Sequence, residues 1–287
     1  MRVLRPLHVF LSVLVPLLGG CTSAAFLAAN APSAFGPHER IAGLAYGTAD
    51  RQRLDVYMPG DKAPTPRPVV VFIHGGSWQW GSKDQYRFVG AALAEKGFVA
   101  VVPNYRLSPE VRFPAFVHDA AAAVAWTLDH IADYGGDPGR VFVMGHSAGA
   151  HSALLVALDE RYLAAAGASA TDLKGVIGLS GPYDFAIDDP AFRPIFGSPA
   201  DPAETQPVRF ARGDAPPLLL VHGTGDRVCW PTNSIRLTER VRKAGGLVEL
   251  RLYPGLGHGD TVGAFTRLRR GAAPTLDDVA AFVTGIP

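Results

Sequence analysis

Val141-Phe142-Val143-Met144-Gly145-His146-Ser147-Ala148-Gly149 is the stretch that decides the fold. Its first four residues are apolar throughout, which predicts a strand buried on both faces. From Ala148 to Leu158 the chain is Ala- and Leu-rich and predicts a helix. Gly145 to Gly149 fits G-x-S-x-G at the junction. A strand that turns sharply into a helix forces the central serine into a strained backbone and pushes its hydroxyl out over the sheet. Glycines stand two residues to either side because a Cβ there would strike the neighbouring strand and helix.

Outward from this point the pattern repeats. Pro68 to Ile73, Phe98 to Val102, Gly175 to Leu179, Leu218 to Val221 and Val248 to Tyr253 are further short strand-like runs. Gly43 to Tyr46 and Arg53 to Met58 suit an opening antiparallel pair. Helices are predicted near Gln85 to Lys96, Phe116 to Asp133, Thr232 to Ala244 and Leu276 to Val283. About eight strands alternating with helices predict an α/β fold with a mostly parallel sheet covered on both faces. Pro182 to about Pro216 breaks the rhythm, and its composition suits a lid segment and a plain surface excursion equally.

Three other strand ends carry chemistry-bearing residues, and in open α/β sheets that edge is where sites are built. His74-Gly75-Gly76-Ser77-Trp78 follows the run Pro68 to Ile73. Backbone N–H groups approach a developing negative charge closely only where no side chain intervenes, so Gly75 and Gly76 suit an oxyanion loop alongside the N–H of Ala148. Gly223-Thr224-Gly225-Asp226 and Gly255-Leu256-Gly257-His258-Gly259-Asp260 each place a titratable side chain just past a strand. Asp226 is favoured as the acid by its glycine turn. Asp184, Asp214 and Asp260 compete, Asp260 standing too close to His258 in sequence to orient it. His74, His146 and His151 read as packing or hydrogen-bonding neighbours. Trp78, Trp80 and Trp230 suit either a substrate pocket or ordinary packing.

HGGSW, the NYRL run Asn104 to Leu107, GHSAG, HGTGD and the GLGH run together resemble the α/β-hydrolase carboxylesterases, in the branch of feruloyl-esterase-like, kynurenine-formamidase-like and hormone-sensitive-lipase-like enzymes. The resemblance runs from about Ala45 to the C-terminus. It implies an α/β-hydrolase fold, Ser147, Asp226 and His258 as a catalytic triad, and Gly75, Gly76 and Ala148 as oxyanion donors. Some relatives carry the acid after the strand where Asp184 stands. The resemblance also implies a structural network of Tyr105, Arg106 and Asp119 beneath the site, a small-molecule ester as substrate, and no cofactor or metal. The short insert departs from the true hormone-sensitive lipases, which carry a substantial N-terminal cap, and this weighs against long acyl chains. Amide or formamide hydrolysis and peptidase chemistry use the same machinery. A non-catalytic envelope binding protein on this fold is disfavoured because all three triad residues are present.

The balance of 27 Lys+Arg against 26 Asp+Glu gives no field to attract nucleic acid or an anionic membrane. Residues 1–20 read as an export signal, with Arg2 and Arg5 ahead of the apolar stretch Val9 to Leu18. Leu18-Gly19-Gly20-Cys21 resembles a bacterial lipobox, which implies lipidation at Cys21, export and a cell-envelope location; the alternative is an ordinary signal peptide and secretion. Residues 21–40 then read as a flexible tether and 41–287 as one catalytic domain. Cys21 and Cys229 are the two cysteines, so a lipidated Cys21 leaves Cys229 without a partner.

Overall fold

The structure is a computed structural model that describes residues 24–286 apart from 62, 188 and 200. Its centre is an eight-stranded sheet in the order β1-β2-β4-β3-β5-β6-β7-β8. The strands are β1 (His38–Ala45), β2 (Arg53–Pro59), β3 (Arg67–Ile73), β4 (Val99–Pro103), β5 (Gly136–His146), β6 (Leu173–Leu179), β7 (Leu218–Gly223) and β8 (Val248–Tyr253). β1 and β2 run antiparallel, and β3 to β8 are mutually parallel.

Continuous apolarity in β3 has a direct structural meaning. Val69, Val71 and Ile73 enter the core on one face of the sheet while Val70 and Phe72 enter the core on the other. Helices α1 (Arg87–Glu95), α2 (Ala115–His130), α3 (Ala148–Leu158), α4 (Glu160–Ala165), α5 (Thr232–Lys243) and α6 (Thr275–Gly285) cover the two faces. Every residue of α3 is buried, so an amphipathic period was never available to announce it. α4 was not expected from sequence; its start is capped by the Asp159 carboxylate, which accepts from the Arg161 N–H.

The N-terminal expectation needs correction. Residues 24–30 are helical and β1 already begins at His38, so much of the stretch read as a tether at 21–40 is folded onto the domain. Phe26 packs 5.2 Å from Tyr86, and the Asn30 side chain donates to the carbonyls of Asp84 and Gln85 and accepts from the Phe88 N–H. The Ala-rich composition that suggested a linker is also good helix-forming composition, and two anchoring side chains decide between them. Cys21 and the export-signal stretch lie outside the described residues.

The insert between β6 and β7 is docked. Ile195 and Phe196 are buried, the Phe113 N–H donates to the Ile195 carbonyl at 2.8 Å, and Ser108 donates to the Pro194 carbonyl at 3.0 Å.

Candidate active site

Ser147 stands between β5 and α3 with φ 56° and ψ −124°. For a residue with a Cβ such a backbone costs about 1–3 kcal/mol, and it survives only where the surroundings impose it. Here they do. A Cβ on Gly145 would lie 2.2 Å from the Gly149 carbonyl oxygen, and one on Gly149 would lie 2.1 Å from that of Ile73. The Ser147 N–H donates to the Leu179 carbonyl at 2.9 Å, tying the turn to β6.

His258 reaches the serine from the loop after β8. Its Nε2 is 2.8 Å from Ser147 Oγ and its Nδ1 is 2.8 Å from Asp226 Oδ2. With Nδ1–H donating to the carboxylate, Nε2 is left as the acceptor of the serine proton. Asp226 comes from the loop after β7, and its second oxygen accepts from the N–H groups of Val228 and Cys229, both at 2.9 Å. Burial opposes ionisation of this carboxyl, yet hydrogen bonds from His222, His258 and the Cys229 N–H hold it well below the usual carboxylate range.

The competing carboxylates are engaged elsewhere. Asp184 pairs with Arg236 at 2.9 Å, Asp214 pairs with Arg212 at 2.8 Å, and Asp260 accepts from the Gly257 N–H at 2.7 Å, shaping the turn that carries His258.

Two histidines brace the relay from behind. His146 Nε2 lies 3.0 Å from the His258 carbonyl oxygen, so a neutral His146 donates to the backbone of the base. Burial, reinforced by neighbouring His258, pushes His146 down to about 3, so it stays neutral. His222 was not singled out from sequence, although it opens the HGTGD run. It is fully buried, its Nδ1 2.7 Å from Ser234 Oγ and its Nε2 2.8 Å from the Cys229 carbonyl and 3.3 Å from Asp226 Oδ2. This one ring therefore joins both ends of the turn 226–229.

The glycine loop after β3 is tightly wound. Gly76 has φ +128°, and a Cβ on it would fall 2.0 Å from the Trp80 carbonyl oxygen. Among the described residues none accepts from the N–H of Gly76, Ser77 or Ala148. The sequence reading paired Gly75 with Gly76. The Gly75 peptide is engaged by the Tyr86 hydroxyl, and Ser77 borders the cavity beside Ser147 and Ala148, so the Ser77 N–H is a further candidate donor. Ser77 holds φ 51°, a left-handed value that gave no signal in a serine.

That cavity has a volume of about 200 Å³. Trp78 and Trp230 both border it, but differently: Trp78 is buried among Phe116, His151, Phe185 and Phe196, whereas Trp230 is 62% exposed at the rim. Trp80 is not among the lining residues. The insert supplies Pro182, Phe185, Ala186 and Phe192, so it forms one wall of the cavity. Cys229 also borders it. Burial and the Asp226 charge push its thiol up to about 12, so it is a neutral wall group and no rival nucleophile. Beneath the loop, the Tyr105 hydroxyl donates to the His74 carbonyl and Arg106 grips Asp119 through Nε and Nη2, the network anticipated from sequence.

The arrangement can take a proton from a serine hydroxyl, hold the resulting imidazolium against a carboxylate, and present backbone donors beside the attacked carbon.

Comparison with known proteins agrees with this chemistry. Residues 54–241 match the BD-FAE family model. An isoprenylcysteine alpha-carbonyl methylesterase of Arabidopsis thaliana is 31% identical over 262 residues, covering 84% of this chain and 61% of its own length. Esterase LipC of Mycobacterium tuberculosis is 32% identical, covering 75% of this chain and 58% of its own length. The chain thus spans about three fifths of the length of the curated relatives it matches. Among solved structures, a thermophilic esterase of Thermogutta terrifontis with butyrate bound superposes with a TM-score of 0.72 at 25% identity, covering 87% of this chain and 94% of that one. Esterase B of Lactobacillus Rhamnosis shares the fold with a TM-score of 0.73 at 21% identity, covering 94% of this chain and 96% of that one.

Proposed function

The chain belongs to the BD-FAE family, and on that premise we propose that it is a serine carboxylesterase acting on esters of small to medium acyl or aryl groups. Ser147 attacks the ester carbonyl carbon while His258 Nε2 takes the hydroxyl proton, and Asp226 stabilises the imidazolium through Nδ1. The N–H groups of Gly76, Ser77 and Ala148 receive the oxyanion, each such donor being worth about 3 kcal/mol of transition-state stabilisation. His258 then returns its proton to the leaving alcohol. Water then attacks the acyl carbon while giving a proton to the same nitrogen, and His258 returns that proton to Ser147 Oγ as the acid leaves. No cofactor takes part.

The observation that carries this reading is the unbroken relay from Ser147 Oγ through His258 to Asp226, with both links at 2.8 Å. Trp230 at the exposed rim and Trp78 in the buried wall are proposed substrate contacts. A panel of p-nitrophenyl esters of rising acyl length, run beside N-formylkynurenine and a peptide, tests the assignment. Ester turnover well above the other two supports it, and preferential hydrolysis of N-formylkynurenine or the peptide moves the function to amide chemistry.

For location, we propose export and lipid anchoring at Cys21, supported by the export-signal pattern, by the small residues ahead of the cysteine, and by the lack of any other proposed role for it.

A further inference from the structure

Two cavities meet at Phe185 and Ala186. Beside the space of about 200 Å³ at Ser147, a cleft of about 560 Å³ lies against the insert, and Phe185 and Ala186 border both. Of these two residues Phe185 carries the larger side chain. Its ring stacks 6.1 Å from Trp78 and meets Phe192 at 5.3 Å and Phe196 at 5.7 Å edge-on. Its backbone is equally fixed: the Phe185 N–H donates to Gln206 Oε1 at 2.9 Å, and the N–H groups of Tyr183 and Asp184 donate to Asn233 Oδ1 at 2.8 Å.

The side of the ester that enters this space follows from the proton path. The leaving oxygen must stand near His258 Nε2 to be protonated, and His258 does not border the cavity. The acyl group therefore points into it, away from the base. A space of about 200 Å³ is below the usual range of ligand pockets, roughly 300–1,000 Å³, whereas the two spaces joined fall within it.

We propose that Phe185 is the residue that sets acyl length in this enzyme, and that the cleft behind it is a latent extension of the acyl site, fitted to an unbranched alkyl chain. Ile187, Pro199, Pro202 and Ala203 give the cleft an apolar surface, with Asp184, Arg193, Ser198 and Gln206 also on its walls. This inference rests on the esterase reading of Ser147. With the ring in place, an acyl chain longer than the cavity must leave it toward solvent. Without the ring, the chain continues into the cleft, where each buried methylene is worth about fourfold in kcat/KM.

The test compares wild type with Phe185→Ala on p-nitrophenyl esters from acetate to decanoate. The octanoate-to-butyrate ratio of kcat/KM should rise at least tenfold in the variant. Ala203→Trp added to Phe185→Ala refills the cleft and should return the ratio to within about threefold of wild type, which general loosening of the site would not do. An active Phe185→Ala enzyme with an unmoved ratio overturns the proposal while leaving the esterase reading intact. No turnover of any ester by wild type contradicts the esterase reading, and the proposal falls with it.

Discussion

Asp226 Oδ2 stands 2.8 Å from His258 Nδ1, while Asp226 Oδ1 is held by two backbone N–H groups of its own turn. One carboxylate oxygen is thus fixed by its own turn, while the other faces His258 and, at 3.3 Å, His222; in the proposed mechanism it orients the base. Asp226→Asn should leave folding nearly unchanged, because an amide oxygen can still accept from Val228 and Cys229. It should lower kcat by roughly 10⁴-fold, since an amide NH₂ facing Nδ1 favours the wrong tautomer. Asp184→Asn breaks only a partly exposed ion pair with Arg236 and should keep kcat within about twofold. Steady-state kinetics of the two variants side by side settles which carboxylate is the acid.

Gly76 and Ser77 make opposite predictions. Gly76→Ala drives a methyl into the Trp80 carbonyl and should displace the oxyanion donors, lowering kcat by about 10²- to 10³-fold with a smaller change in KM. Ser77→Gly removes a side chain but keeps the N–H, and it relieves a left-handed backbone at φ 51°. It should retain at least half the wild-type kcat and raise stability by about 1 kcal/mol. Loss of activity in Ser77→Gly would mean that the hydroxyl, and not the peptide, serves the reaction.

Three buried histidines should weaken the fold in acid. Burial lowers His74 and His146 to about 3 and His151 to about 4, from an ordinary value near 6.5. A histidine kept neutral in the fold but free to charge when unfolded contributes fully above pH 6.5, and this contribution is lost as pH falls toward the folded value. At pH 5 each costs about 2 kcal/mol relative to pH 7. His151→Gln keeps a donor for the Thr205 carbonyl and removes one such site. Urea unfolding at pH 7 and pH 5 should therefore show a loss on acidification about 2 kcal/mol smaller in the variant. An equal loss in both proteins would show that His151 is not neutral in the fold.

Lipidation predicts a fractionation result. Cys21→Ser should move the protein from the membrane to the soluble fraction, or stall its processing, while detergent-solubilised activity stays unchanged, because multiple acyl chains dominate membrane retention. Intact mass of the wild-type protein supplies the check. An unmodified Cys21, or cleavage beyond it, would make the protein a secreted one.

Much of this architecture is legible in the sequence because strand ends concentrate both the signal and the chemistry. Val69 to Ile73 in β3 and Val141 to Met144 in β5 are continuous apolar runs, and each is followed at once by a glycine-rich turn with a polar residue. What stayed hidden is set by packing partners distant in sequence. Ser77 is proposed as an oxyanion donor in place of Gly75 because the Gly75 peptide faces Tyr86, and nothing in HGGSW records that neighbour. His222 looks like one more strand residue until the turn folds back and brings Cys229 and Asp226 against its ring. Residues 24–30 read as a linker because Phe26 and Asn30 find their partners in and beside α1, more than fifty residues away.

The central claim is that Ser147 is the nucleophile, and fluorophosphonate labelling followed by peptide mass analysis tests it most directly. Wild type should carry one adduct, on the peptide containing Ser147, and lose esterase activity in proportion to labelling. Ser147→Ala should remain folded, take no label and hydrolyse no ester. Ser180 is fully buried with its Oγ 3.0 Å from Thr261, so it should stay unlabelled. An adduct on Ser77 or Ser180, or near-full turnover by Ser147→Ala, would contradict the account.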